Sequence, residues 1–177
     1  ILTDPRWDLK FIGMQIIIEG LALAAFERQR ASAMDPLLKD IFYLVIRDEA
    51  RHVTFGVNYL EEFIKTLSEE EREERAEFAY EACVVMRNRF GSTNVMKHYG
   101  WNAEEAAEVI NQSEGSALFS NLLFTKIMPN LKRIGLLTDK VSEKYEEMGI
   151  LEFKDLEHSG DTSWEELSKP LDYGEIA

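Results

Sequence analysis

The sequence predicts an all-α protein, and two observations carry that prediction. No run of alternating Val, Ile or Thr residues bounded by turns indicates a strand. The chain of 177 residues has only 4 prolines and 10 glycines, and two of the prolines directly follow an aspartate, a pattern typical of helix starts. We therefore expect a helical bundle that contains a long antiparallel hairpin and additional helices.

Capping residues give the expected helix boundaries. Asp4 and Asp35, each placed before a proline, should begin the first two helices. Ser68 and Glu71 have the spacing of a capping box, which should open the third helix. Pro129 should bend or end the sixth helix. The expected helices cover about 5–31, 36–67, 69–90, a short segment ending at His98, 103–112 after a cap at Asn102, 116–126, and a segment to about 148 after a cap at Thr138.

The last part of the chain differs in composition. From about residue 150 it has acids at eight positions against two lysines, and glycine, serine and proline become frequent. We therefore divide the chain into a helical bundle domain over 1–149 and an acidic, mostly irregular tail over 150–177. Phe153, Trp164 and Tyr173 are the residues expected to hold that tail against a neighbour.

Composition argues against several classes of function. The 33 acidic residues against 20 basic ones give a formal net charge of -13, which disfavours nucleic acid as a partner because its phosphates are repelled. A single cysteine excludes a disulfide framework and a cysteine-based zinc or iron–sulfur site. No signal-peptide pattern is found, and the apolar stretch 11–26 is interrupted and short for a bilayer. We therefore expect a cytoplasmic protein without a membrane partner.

Glu19 lies in the middle of the first predicted helix. The stretch 11–26 around it is apolar nearly all round, so this helix should be central and buried. An ionised carboxylate in that setting is costly unless it is paired, protonated or bound to a metal. Glu19 is therefore a candidate metal ligand. Gln15, one turn earlier, is either a hydrogen-bond partner of a ligand or a space-filling residue.

A second pair of candidate ligands lies on the next helix. After an apolar run at 41–46, expected to face the core, Glu49 and His52 are spaced i, i+3 and leave the same helix face. That spacing alone is weak, because in so acidic a chain an acid precedes a histidine at this distance about one time in five by chance. Asp155 and His158 repeat the spacing within the tail.

The register of the two helices makes Glu49 and His52 more specific. The turn between the helices lies near residue 34, fifteen residues after Glu19 and fifteen before Glu49. At a rise of about 1.5 Å per residue, each carboxylate lies about 22 Å from the turn. An antiparallel hairpin therefore sets both carboxylates at the same depth, and this predicts half of a metal site built from four carboxylates and two histidines.

The sequence around these residues resembles a known superfamily. Segment 46–52, with the sequence IRDEARH, follows the segment IIEGLA at 17–22 by about thirty residues. Together they are similar to the second half of the ferritin-like di-iron carboxylate superfamily. The similarity is greatest to the small subunit of class I ribonucleotide reductase, the related ligand-binding oxidases and the aminobenzoate N-oxygenases. It covers about residues 5–67.

The resemblance implies a di-metal site. Glu19, Glu49 and His52 correspond to metal ligands, and Asp48 corresponds to a carboxylate that hydrogen-bonds a ligand histidine and fixes its tautomer. The resemblance further implies two iron ions in each complete site, with manganese as the alternative metal. It also implies O2 and a small molecule as the substrates.

The chain supplies only half of such a site. The family takes another Glu and another Glu-x-x-His from two earlier helices, and this sequence contains neither. Either two ligand helices of a longer polypeptide are missing, or two chains pair about a two-fold axis and each contributes Glu19, Glu49 and His52. We expect the first for the native protein, since the sequence begins without a methionine. For the 177-residue chain itself we expect a homodimer.

Three functions fit these features. The first is an O2-dependent di-iron oxidoreductase, either an oxidase or an oxygenase, that acts on a small molecule. The second is a ferroxidase or iron-binding protein of the ferritin type. The third is a metal-free helical module in which the hairpin serves for dimerisation. Metal content and O2 consumption distinguish the three.

Overall fold

The computed structural model describes residues 4–89 and 93–161, together with Ser163 and Glu165. Over these residues the chain forms helices and no strand. The prediction of an all-α helical bundle is confirmed.

The helices are numbered in chain order. Their bounds are α1 Trp7–Ser32, α2 Pro36–Ile64, α3 Glu69–Arg89, α4 Thr93–His98, α5 Ala103–Gln112, α6 Glu114–Arg133 and α7 Asp139–Glu147. Two short 3-10 turns follow, at Leu151–Asp155 and Ser159–Asp161.

Helices α1 and α2 form the predicted antiparallel hairpin. Asp35 caps α2, because its side chain accepts a hydrogen bond from the backbone N–H of Leu37 at 2.8 Å. Close to the turn, the rings of Phe26 and Phe42 lie 5.9 Å apart. At the far end, the rings of Trp7 and Tyr59 are 5.2 Å apart. The expected register between the two helices is therefore present along their whole length.

Part of α1 is not a regular α-helix. From Ile12 to Ile18 it is a π-helix, with one wider turn than the α-helix on either side. At this point α1 lies unusually close to α2, because a Cβ atom built on Gly56 would lie 2.4 Å from Cβ of Gln15. Only glycine fits at position 56 without a shift of one of the two helices.

Helices α3 and α6 cover one side of the hairpin. The first turn of α1 is joined to α3 by a buried ion pair between Asp8 and Arg75, 2.8 Å long. A Cβ atom on Gly20 of α1 would lie 3.1 Å from the side chain of Ile127 on α6. The core of this side is aliphatic and contains the fully buried residues Ile12, Ile16, Val53, Val57, Leu60, Leu123, Phe124, Ile127, Met128 and Leu131.

The segments after α6 pack on the bundle from outside. The hydroxyl of Tyr145 on α7 lies 3.9 Å from the thiol of Cys83 on α3. Phe153 contacts the core. The second 3-10 turn is fixed by Ser159, whose carbonyl oxygen accepts a hydrogen bond from the hydroxyl of Thr54 at 2.9 Å. Residues 151–161 of the predicted tail therefore lie against helices, whereas Trp164 and Tyr173 are outside the described residues.

The capping predictions are confirmed at some helices and wrong at others. Ser68 and Glu71 form the expected capping box, with bonds of 2.9 and 3.2 Å. Asn102 accepts from two backbone N–H groups at the start of α5. Asp4 caps no helix, because its carboxylate accepts hydrogen bonds from Arg6 and α1 begins later, at Trp7. Thr138 does not cap α7 through its side chain, because its hydroxyl donates to Glu73 instead.

Pro129 does not bring the sixth helix to an end. Helix α6 begins at Glu114 and continues through the proline to Arg133. A proline inside a helix removes one backbone hydrogen bond. Met128 and Leu131, on either side of Pro129, are fully buried in the core, so apolar packing holds this part of the helix in place.

The apolar run at 41–46 faces the core only in part, since Ile46 packs against it while Ile41 and Leu44 are exposed. No residue from Pro36 to His52 is buried, and Ile41 and Leu44 are 47% and 42% exposed. The second half of α2 behaves differently, since Val53, Val57 and Leu60 have no exposed surface. The reason is that α3 and α6 pack against one side of the hairpin, and no described helix covers the side that carries Ile41 and Leu44.

Helix α1 is long and apolar enough to cross a membrane by length and composition. It has 26 residues and a mean hydropathy of 1.7 over its most apolar window, so the expectation of a stretch too short for a bilayer does not hold for the folded helix. Of that window, 44% is buried inside the bundle. A core helix passes the same test, and the result by itself is therefore a weak indication.

We expect Cys83 to be protected from thiol reagents in the native protein. Burial raises the pKa of its thiol to about 12, so at pH 8 only about one thiol in ten thousand is ionised and reactive. A chromogenic disulfide reagent should detect no thiol in the native chain and one per chain after denaturation. Native reaction at the rate of free cysteine would contradict this packing.

Candidate metal centre

The hairpin brings Glu19, Glu49 and His52 together. The Nδ1 atom of His52 lies 3.7 Å from a carboxylate oxygen of Glu19 and 3.5 Å from one of Glu49. One potential ligand atom from each residue lies within 4.8 Å of the other two. Donor atoms that share one ion at about 2.0–2.2 Å lie roughly 3–4 Å apart. The three groups therefore need only small side-chain adjustments to bind one metal ion.

Two features of the helices position these side chains. Glu19 is the first residue after the π-helical segment, so the wide turn sets the direction in which its side chain leaves α1. Glu49 and His52 lie one turn apart on α2 and project from the same face. Because Glu19 and Glu49 are equally far from the turn, the antiparallel hairpin sets their side chains at the same depth, as the sequence predicts.

Glu19 is in the least favourable electrostatic position of the three. Its side chain is 16% exposed, against 24% for Glu49 and 58% for His52. Burial raises the pKa of the Glu19 carboxyl above its usual value, the nearby charge of Glu49 raises this pKa further, and His52 acts in the opposite direction. The site therefore holds two carboxylates whose charges repel each other, with one imidazole to balance them.

Two buried oxygen atoms at the site have no hydrogen-bond partner. They are Oε2 of Glu19 and Oε1 of Gln15, and these residues lie one turn apart on α1. A buried carboxylate oxygen without a partner is costly in free energy, because burial removes its hydrogen bonds to water and the protein provides none in their place. A cation beside Glu19 would remove that cost. The residues therefore fit a metal ion, and Gln15 is placed within one turn of a ligand.

Asp48 lies beside the cluster but is bound elsewhere. Its side chain is 65% exposed and accepts a hydrogen bond from Arg51 at 2.5 Å. The structure thus pairs Asp48 with an arginine of the same helix rather than with His52. The role that the resemblance implies for Asp48, a hydrogen bond to a ligand histidine, stays a prediction.

Aromatic side chains continue from the cluster along the open side of the hairpin. Phe55 follows His52 by one turn and stacks on Tyr59, with ring centroids 5.9 Å apart. Phe11 lies 6.0 Å from each of these two rings. Tyr59 is 53% exposed, so these rings lie at the surface of the hairpin.

The other histidines do not join a comparable cluster. Among the residues that the structure describes, Glu19, Glu49 and His52 form the group of three acids or histidines with ligand spacing. His98 is exposed at the end of α4. His158, whose spacing from Asp155 imitates the motif, lies beside Gly160 in the second 3-10 turn. Register, and not motif spacing, therefore identifies the site.

The role of Gly56 and the π-helical segment were not predicted from the sequence. An isolated glycine inside a long helix marks a place where another backbone comes close, and that signal was present at position 56. The close contact of Gly56 with Gln15 holds the π-helical segment against α2, one turn before Glu19. Gly56 is thus a positioning residue for the cluster, although it has no side chain.

We expect Gly56→Ala to destabilise the protein by about 1–3 kcal/mol, because the added methyl group overlaps Gln15 and must push the helices apart. Urea unfolding followed by circular dichroism measures this change. Gly115→Ala is the matched control, since its Cβ would meet only the far end of the long Arg28 side chain, at 3.2 Å. Equal effects of the two substitutions would contradict the tight contact at Gly56.

Comparisons with known proteins do not assign this chain to a family. No protein-family model, curated protein or solved structure matches this chain. The resemblance of segments 17–22 and 46–52 to the di-iron carboxylate proteins therefore stays a resemblance. Any function assigned to the chain has to be argued from the cluster on α1 and α2.

Proposed function

We propose that this chain is the ligand-bearing part of an O2-dependent di-iron oxidoreductase of the ferritin-like superfamily. One observation carries the proposal. Glu19, Glu49 and His52, which lie far apart in the sequence, have ligand atoms within 4.8 Å of one another, and Glu19 has a buried oxygen without a hydrogen-bond partner. Both features are what a bound cation requires of its ligands.

The donor set favours iron or manganese. Two carboxylates and one imidazole are ligands suited to iron or manganese, and the absence of sulfur in the cluster disfavours copper(I) and structural zinc. Three protein donors leave coordination positions for other groups, which an oxidoreductase needs in order to bind O2. When bound, iron supplies the redox chemistry by which O2 is reduced and a substrate is oxidised.

In this proposal the side chains have separate tasks. Glu19 and Glu49 bind the metal through carboxylate oxygens, and the attraction to the cation offsets the repulsion between them. His52 binds through Nδ1, the atom that faces both carboxylates. Gln15 orients a ligand from the buried side. These residues hold and shield the metal, and metal binding displaces any proton that a ligand atom carries.

A small organic molecule is the proposed substrate. Phe55, Tyr59 and Phe11 form an open apolar surface next to His52, and once another surface covers these rings, the space beside the metal is apolar and suits an apolar or aromatic compound. The net charge of -13 favours a cation as the inorganic partner and disfavours nucleic acid. The proposal includes a cytoplasmic location, with which a single reduced cysteine is compatible.

Iron loading tests the proposal directly. The chain is titrated with Fe2+ under anaerobic conditions, its iron content and melting temperature are measured, and O2 is then admitted. We expect bound iron, a higher melting temperature and O2 consumption that increases with an organic substrate. Iron uptake followed by mineral growth would instead favour the ferritin-type function. An unchanged melting temperature and no bound iron would contradict both.

We expect His52→Ala to lower the affinity for Fe2+ by more than about 100-fold. Loss of a direct ligand should exceed the 10–100-fold cost of losing a hydrogen-bond partner of a ligand. His98→Ala and His158→Ala are the controls and should bind as the unchanged chain does. Metal binding is measured by calorimetry or equilibrium dialysis. Equal losses in all three variants would rule out the assigned site.

A further inference from the structure

The first half of α2 has an apolar sequence and is only partly covered. No residue from Pro36 to His52 is buried, although the run 41–46 is as apolar as a core segment. A folded domain rarely leaves so long an apolar segment in water unless another surface covers it. The first half of α2 ends at the ligands Glu49 and His52. Its exposed apolar residues therefore indicate a surface that packs against another protein surface.

Exposed apolar side chains form a stripe along α2 that consists of two halves. Within each half they recur at intervals of three or four residues, and the halves are eleven residues apart, about three helical turns, so that all members share one face of the helix. The aliphatic half of the stripe precedes the cluster and the aromatic half follows it. The members and their exposed fractions are Leu37 67%, Ile41 47%, Leu44 42%, Phe55 51% and Tyr59 53%.

The interval between the two halves lies at the level of the metal ligands, and its exposed residues are His52 and Asp48, which is ion-paired with Arg51. Residue 48 is the midpoint between Leu37 and Tyr59, and it is directly followed by Glu49 and, one turn later, His52. A two-fold axis near the midpoint, perpendicular to α2, would place a second α2 antiparallel to the first. The aliphatic half of each copy would then face the aromatic half of the other, and the two clusters would meet within about one helical turn.

The dimensions of the face suit a dimer. The stripe extends over about 33 Å at 1.5 Å per residue, and α1 and α2 side by side are about 20 Å wide. The area is roughly 650 Å² per copy, close to the approximately 800 Å² per partner of a stable protein interface. Trp7 on α1, 37% exposed and in contact with Tyr59, extends the same face.

Electrostatics makes this pairing depend on metal. Each copy would bring the carboxylates of Glu19 and Glu49 to the centre of the interface, so that four acidic groups would oppose one another. Without cations these charges disfavour association, whereas two divalent ions would neutralise all four. Two copies together supply four carboxylates and two imidazoles for two ions, which is the donor set of a carboxylate-bound di-metal site.

We propose that two copies of this chain pair through the stripe on α2, and that a divalent metal bound by Glu19, Glu49 and His52 of both copies drives the pairing. The inference rests on the proposed metal site and names its partner, a second copy of the same chain. By thermodynamic linkage, metal strengthens the dimer and dimerisation strengthens metal binding by the same factor.

Sedimentation equilibrium of the full chain tests the pairing. In EDTA we expect a particle of 20.4 kDa, and with Mn2+ added alone a particle of twice that mass, with about one Mn2+ per chain. The dissociation constant of the dimer should fall by at least about 100-fold, and EDTA should reverse the change. Mg2+, which binds imidazole poorly, is the metal control.

Two substitutions on the stripe locate the interface. Ile41→Lys and Tyr59→Lys, one in each half, should each raise the dissociation constant in Mn2+ by about 30-fold or more, because a desolvated charge opposes association. Val85→Lys on α3 is the matched control, since Val85 is also exposed, at 66%, and lies off the stripe. It should change the constant by less than about threefold. Circular dichroism checks that the variants remain helical.

The outcomes separate this inference from the proposed function. If the chain binds Mn2+ but stays at 20.4 kDa, the pairing is contradicted and the proposed metal site is not. The stripe would then be a contact surface for other helices. Equal weakening by all three lysine variants, or a dimer equally strong in EDTA, also overturns it. A chain that binds neither Mn2+ nor Fe2+ overturns the proposed function.

Discussion

The buried carboxylate of Glu19 is the constraint on which the remaining features of this structure depend. It is mostly buried between α1 and α2, close to the carboxylate of Glu49, and one of its oxygens has no hydrogen-bond partner. A folded protein tolerates such a group only where something compensates its charge. The single imidazole of His52 compensates in part, and a cation would complete the compensation.

The backbone around this carboxylate departs from regular helix geometry. The π-helical segment 12–18 ends directly before Glu19, and Gly56 lets Gln15 come close to α2. Wide helical turns of this kind occur often at functional sites. Here the π-helical turn lacks the regular hydrogen bonds of an α-helix, although the helix is otherwise well packed. Such an irregularity is expected where the backbone has to direct a functional side chain, here that of Glu19.

The bundle has two unlike sides, and this division assigns separate roles to them. Packing with α3 and α6 buries Ile16, Val57 and Ile127 and supplies the stability of the fold. The opposite side of the hairpin presents the ligands, the aromatic rings and the exposed stripe. Packing against α3 and α6 fixes the register of α1 against α2. The uncovered side of the hairpin can therefore carry a metal site whose remaining ligands come from another chain or segment.

The sequence by itself determined the elements of this protein. Proline and glycine usage, the cap at Asp35 and the capping box at Ser68 set the helices, because these signals act within one turn of chain. The equal spacing of Glu19 and Glu49 from the turn determined that they meet. Tertiary structure decided the rest: which face of α2 is covered, whether α6 continues through Pro129, and where the carboxylate of Asp4 binds. Such outcomes depend on contacts between residues distant in sequence, and local patterns do not encode which neighbour packs on which face.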